Sequence, residues 1–108
     1  MKERFHPDIA SVTVDMLMHA LAEPVRLNIL TILNKNDITP CADVYEKLGI
    51  SKTNASHHFR TLRECGLIRA TMIGRELHTQ IRHEELGAKF PGLLNMILTS
   101  WEHASLDR

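Results

Sequence analysis

Apolar side chains recur at helical spacing through most of this chain and at strand spacing in one short stretch. Between residues 8 and 22, Ile9, Val12, Met16, Leu17 and Leu21 fall on one side of an amphipathic helix. Pro24 suits the first position of a second helix running to Asn34, because a missing N–H costs nothing there. Val25, Leu27, Ile29, Leu30, Ile32 and Leu33 leave that helix little polar surface, so it reads as core. Thr39-Pro40 repeats the cap-then-proline signal and opens a third helix, Cys41 to Leu48, which Gly49 ends. Ser51 is a suitable N-cap for a fourth helix, and Gly66 stands where a left-handed residue would stop it. On this fourth helix Ala55, Phe59 and Leu62 share a narrow arc. Thr53, His57 and Arg60 lie opposite, with Ser56 and His58 flanking, so one face packs and the other is polar.

From Leu67 to Ile81 the pattern changes to two β-like runs about a turn at Ile73-Gly74-Arg75. Helix returns from Glu84, is interrupted by Phe90-Pro91-Gly92, and resumes with Pro91 as the natural first residue of a terminal segment. The prediction is a single domain over residues 1–108, mainly α with a small β-hairpin. The third and fourth helices, joined by Gly49-Ile50-Ser51, have the spacing of a helix-turn-helix over about residues 40–65. The hairpin that follows, about residues 67–82 with Arg75 at its tip, is placed as a wing that reaches backbone phosphate or the adjacent minor groove. Leu93, Leu94, Ile97, Leu98 and Trp101 make the terminal helix too apolar to stand uncovered. A twofold homodimer through residues 8–22 and 91–103 is therefore expected.

A length of 108 residues with 44% hydrophobic and 24% charged content supports one small core. The net charge of zero hides an asymmetry that bears on the partner. Residues 51–82 carry Lys52, Arg60, Arg63, Arg69, Arg75 and Arg82 against Glu64 and Glu76, six minus two, or +4. The remainder holds seven basic and eleven acidic side chains, hence −4. A positive module on a negative body can set one face on phosphate and keep the other off it. His57, His58 and His78 would add charge to that module as pH falls through about 6.5. A winged helix used only for protein contact is the rival; it need not be basic and would bind with a shallow salt dependence. Cys41 and Cys65 form no CxxC pair, which excludes a disulfide framework and a thiolate zinc finger. No apolar run reaches bilayer length and the first residues lack a secretion signal, so a cytoplasmic protein without a membrane partner is expected. Catalysis is excluded in the same way: no nucleophile-base spacing and no phosphate-cradling Gly loop occurs.

The order of elements, together with Ala22-Glu-Pro-Val-Arg-Leu-Asn-Ile-Leu, Ser56-His-His-Phe-Arg-Thr-Leu-Arg-Glu-Cys-Gly-Leu-Ile and Ile73-Gly-Arg, resembles the ArsR/SmtB family of bacterial repressors over roughly residues 15–100. The resemblance implies a dimeric winged helix-turn-helix repressor that leaves its promoter when an inducer, often a metal ion, binds. The family's metal patterns do not carry over. Arsenic-type members place a CxC pair at the start of the third helix, where this chain has Pro40-Cys41-Ala42. On the zinc-type pattern, D-x-H followed by H-x-x-E, the overlay puts His83, Glu85, Met96 and Thr99, two ligands and two poor ones.

The reading is a sequence-specific repressor whose double-stranded operator DNA is an imperfect palindrome, with residues 52–61 of each protomer in successive major grooves. Thr53, Asn54, His57 and Arg60 are the candidates for base edges, Lys52, Ser56, His58 and Arg75 those for phosphate, and Thr61 closes the set. No cofactor is required, and the inducer stays open. Cys41 lies in the first turn of its helix, where unpaired N–H groups lower a thiol's pKa; this suggests a redox or electrophile switch, with buried filler as the alternative. Cys65 is the second candidate for a redox sensor, but it lies at the opposite end of its helix, where the dipole disfavours a thiolate, and filler is the favoured reading there. His83, Glu85 and His103 are the candidates for a metal site of non-standard kind at a dimer interface, against solvated or core side chains.

Overall fold

The computed structural model describes residues 4–106. Its centre is the apolar helix expected from the sequence, α2 (Pro24–Asn34), which buries Arg26, Ile29, Leu30 and Leu33 along one stripe. The Glu23 carboxylate caps this helix by accepting from the Arg26 amide at 3.0 Å. Before it comes α1 (Val14–Leu21), which buries Leu17, Ala20 and Leu21. Then follow β1 (Thr39–Pro40), α3 (Cys41–Leu48), α4 (Lys52–Glu64), β2 (Ile68–Ile73), β3 (Glu76–Ile81), α5 (His83–Lys89) and α6 (Leu93–Leu106). The three strands form one antiparallel sheet in the order β1-β3-β2, with Thr39 opposite Thr79 and Ile68 opposite Ile81. The expected winged helix-turn-helix architecture is present: α3 and α4 make the helix-turn-helix and β2–β3 the wing. Val44, Ala55, Phe59, Leu62, Leu67 and Ile68 close the core between these two helices and the sheet.

Three local expectations are corrected. Residues 8–22 are not one helix: a 3-10 turn at Ile9–Ser11 is capped by Asp8, and α1 starts only at Val14. Lys89 holds the carbonyls of Ile9 and Ala10 at 3.0 Å and that of Val12 at 2.5 Å, acceptors that a continuous helix would use internally. Thr39-Pro40 does not cap α3 by a side chain; it is extended and adds a third strand beside β3. The steric restriction ahead of a proline favours that extended backbone. Pro91 precedes rather than begins α6, because Gly92 takes a φ of 76° in the intervening turn.

Gly66 fixes where α4 ends. Its φ is 87°, and a Cβ there would run into the Val12 side chain, which is fully buried. The segment ahead of α1 is bound across the base of the wing by side chains from elsewhere: Arg63 donates to the Phe5 carbonyl at 2.6 Å and Arg82 to that of Pro7 at 2.8 Å. His6 accepts from the Ala70 amide through Nε2 at 3.0 Å, which requires a neutral ring.

Candidate nucleic-acid interface

The polar face of α4 is created by its burial pattern. Ala55, Phe59 and Leu62 turn into the core, while Lys52, Thr53, Asn54, Ser56, His57 and Arg60 are all exposed. Ser51 starts the helix by accepting from the Asn54 amide at 3.1 Å. Gly49, in left-handed conformation, ends α3 and turns the chain into it. Thr61 is half-buried and its hydroxyl donates to the His57 carbonyl at 3.3 Å. Arg75 is exposed in the two-residue turn at the tip of the wing. A cleft of about 500 Å³ opens between α4 and the wing, and Lys52, Ser56, Arg60 and Arg75 line it together. Thr53, Asn54 and His57 stand on the exposed face beyond that lining.

His58, expected to touch phosphate, is only 8% exposed. Arg26 Nη1 lies 3.3 Å from its Nδ1, and the Glu23 carboxylate lies 3.8 Å from the same nitrogen. The guanidinium can only donate, so Nδ1 accepts and the ring's proton is on Nε2. Burial holds the His58 pKa below its ordinary value, with Glu23 opposing and Arg26 reinforcing. His58 thus serves packing and positioning from the inner edge of α4 rather than contact with DNA.

Arg26 itself escaped the reading of the sequence. It is 8% exposed. Its Nε donates to the Ala20 carbonyl at 2.7 Å and its Nη2 to that of His19 at 3.3 Å, so it ties the end of α1 to α4 through His58. The signal was present: Arg26 falls on the i, i+3, i+4, i+7 stripe with Ile29, Leu30 and Leu33, where a cation must find partners. Arg82 contributes to the charge of the positive module, yet it is 6% exposed and grips Glu85 at 2.9 and 2.8 Å. Arg69 donates to the same carboxylate at 2.7 Å. The positive module therefore presents fewer free cations than its composition suggests.

The sensing candidates also change. Burial pushes the Cys41 thiol up to about 11, outweighing Arg4 and the helix-end amide that act in the other direction. The expectation of a lowered thiol pKa at that helix start is therefore corrected. Burial raises Cys65 as well. Glu85 is held down to about 2, first by the hydrogen bond from Arg82. That carboxylate is already engaged by two arginines, while His83 and His103 are exposed. Among the described residues no three His, Cys, Asp or Glu side chains gather to hold a metal ion. The donors of one protomer therefore do not form the metal site that the resemblance implied.

The sequence matches the model of the bacterial regulatory proteins of the arsR family over residues 23–70. An uncharacterised HTH-type transcriptional regulator of Bacillus subtilis, YceK, is 34% identical over 82 residues, 75% of this chain and 82% of that one. Among solved structures, the cadmium metal-sensor CmtR of Mycobacterium tuberculosis is 32% identical, covers 74% of this chain and 82% of its own, and superimposes with a TM-score of 0.56. A homodimeric winged helix-turn-helix DNA-binding domain of Mycobacterium bovis shares the fold at 21% identity, with a TM-score of 0.66 over 95% of this chain and 94% of that one.

Proposed function

The chain belongs to the arsR family of bacterial regulatory proteins, and from that premise we propose that it is a repressor whose homodimer reads an imperfect palindrome through two copies of α4. The family consists of DNA-binding transcriptional regulators, not enzymes. The observation that carries the finer reading is the exposed face of α4 meeting Arg75 of the wing along one cleft. A helix of 13 residues with Thr53, Asn54, His57 and Arg60 outward suits a major groove, and Arg75 is placed for the flanking backbone. The dimer is supported by Val14 and Met18 of α1 and Met96 of α6, which are 53%, 40% and 60% exposed on the two helices expected to pair. Among the described residues no single helix is long and apolar enough to cross a membrane.

Fluorescence anisotropy on duplexes from upstream of the chain's own gene tests this reading. Arg60→Ala should cost about 1–3 kcal/mol at particular base pairs, whereas Arg75→Ala, which removes one cation from each protomer, should weaken all sequences alike and flatten the salt slope by about two. Unchanged affinity of both variants would refute the docking.

A further inference from the structure

A second cavity, of about 160 Å³, lies where α1, α5 and α6 meet the end of α2. Buried Leu17, Leu21 and Leu86 form its floor, and half-buried Phe90, Leu93 and Leu94 leave apolar surface open along its walls. Its polar lining is Asn34, His83 and Asn95, all exposed at the mouth, and no Lys, Arg, Asp or Glu lines it among the described residues. Val14, Met18 and Met96, the exposed apolar side chains offered to a second protomer, are absent from the lining, so the cavity is not that face. Gly87 of α5 also lines it. The φ of Gly87 is not positive, and a Cβ added there would meet nothing within 4 Å. Neither backbone nor packing calls for glycine inside that helix, where alanine holds the conformation better. What a side chain at this position would take up is room in the cavity, which points to an occupant from outside the fold.

We propose that this cavity binds an uncharged molecule of one aromatic ring carrying a hydroxyl, with the ring against Phe90, Leu93 and Leu94 and the hydroxyl on the Asn34, His83 or Asn95 side chain. Size sets the ring count: an apolar cavity of about 150 Å³ holds benzene, so about 160 Å³ holds one ring with one small substituent and not two fused rings. An amide and an imidazole each offer a donor and an acceptor, which matches a hydroxyl in either sense. A carboxylate would give up its hydration there without meeting a lysine or arginine, and an ammonium without meeting a carboxylate. The cavity touches α1 and α6, the helices expected to pair, and α5, which directly follows the wing. Occupancy therefore changes duplex affinity by as much as the DNA-bound and free dimers differ in affinity for the ligand, a consequence that rests on the DNA-binding reading above.

The test titrates the full chain with phenol, 2-naphthol and benzoate, followed by amide NMR shifts and by anisotropy of a bound upstream duplex. Phenol should shift the amides of Gly87 and Leu94, half-saturate below about 1 mM and bind about tenfold more tightly than benzoate, with 2-naphthol weaker than phenol. In Leu93→Ala, which enlarges the cavity, the order of phenol and 2-naphthol should reverse. Gly87→Leu, at an exposed position where a Cβ meets nothing, should weaken phenol about tenfold and keeps the test decisive if Leu93→Ala does not fold. Benzoate bound as well as phenol, an order that survives in Leu93→Ala, phenol indifferent to Gly87→Leu, or no shift at millimolar phenol would overturn the assignment. Shifts of the same amides that follow protein concentration and ignore phenol would give the cavity to a second copy of the chain and overturn it too. Phenol bound with duplex affinity unmoved would overturn the effector role alone, and a chain that takes up phenol but binds no duplex would overturn the DNA reading alone.

Discussion

Replacing Arg26 with methionine should destabilise the fold and retune His58 at the same time. The side chain is 8% exposed and donates to the Ala20 carbonyl at 2.7 Å, the His19 carbonyl at 3.3 Å and His58 Nδ1 at 3.3 Å. Methionine keeps much of the stem and removes every donor. Hydrogen bonds from a charged group contribute about 1.5–3 kcal/mol each, and the stranded carbonyls lose their partners in the interior. Avoiding the burial of a guanidinium offsets part of this, leaving a net loss of about 2–3 kcal/mol. With a urea slope of about 1–3 kcal/mol per molar, the unfolding midpoint should fall by roughly 1–2 M, measured by circular dichroism at one fixed protein concentration. The second readout is specific to the geometry. Arg26 reinforces the downward shift of His58 while Glu23 opposes it, so removing Arg26 should raise the His58 pKa in an NMR titration. A midpoint within about 0.3 M of the parent, together with an unmoved His58 titration, would refute the reasoning.

Gly66→Ala should cost about 2–4 kcal/mol in thermal unfolding, since a residue at φ 87° both strains the backbone and drives a Cβ into buried Val12; a loss below about 0.5 kcal/mol would contradict the packing. Glu85 has its pKa held down to about 2 from an ordinary 4.5, so the stability it contributes is whole above pH 4.5 and is lost as pH falls towards 2. Its side chain is 36% exposed, so solvent screening limits that contribution to about 1 kcal/mol. Acid unfolding of Glu85→Gln should show a correspondingly flatter profile. Thr79→Val removes an unpartnered buried hydroxyl at constant shape and should raise stability by about 1 kcal/mol, or about 4 °C in the melting temperature. A lower melting temperature would mean that the hydroxyl has a partner within the fold.

The sequence was most legible where one local rule governed. Pro24 opened α2, Gly49 closed α3, and the alternation of Ala55, Phe59 and Leu62 with polar side chains oriented α4, each position read from its immediate neighbours. What it concealed depended on partners distant in sequence. Lys89 breaks the first predicted helix by taking carbonyls nearly eighty positions away, a separation of 80 for Ile9. His58 flanks the polar face by angle, yet α2 presents Arg26 and Glu23 against it and removes it from solvent. The helix-end argument for Cys41 was sound as a local field but omitted burial, which acts more strongly in the opposite sense. Periodicity assigns a face; it does not say which neighbour will cover its edge.

The same distinction governs the electrostatics of reading DNA. Six basic side chains between residues 51 and 82 would, in a dimer, suggest twelve phosphate contacts and a salt slope of about −11. The structure divides them into two classes. Arg82 and Arg69 are committed to Glu85, and Arg63 donates to the Phe5 carbonyl, so these three hold the wing and the segment before α1 in place. Lys52, Arg60 and Arg75 are exposed on the reading face. In the proposed dimer, two protomers would offer six such cations, for a slope of about −5 in log affinity against log salt. Such a site would recruit counterion release modestly and leave more of its affinity to base contacts. A measured slope near −11 would require the inward arginines to leave their partners on binding, and Glu85→Gln, which frees two of them, should then change the slope little. If the committed arginines stay committed, the same substitution should steepen it, because Arg69 gains freedom to reach phosphate only when its carboxylate partner is neutral.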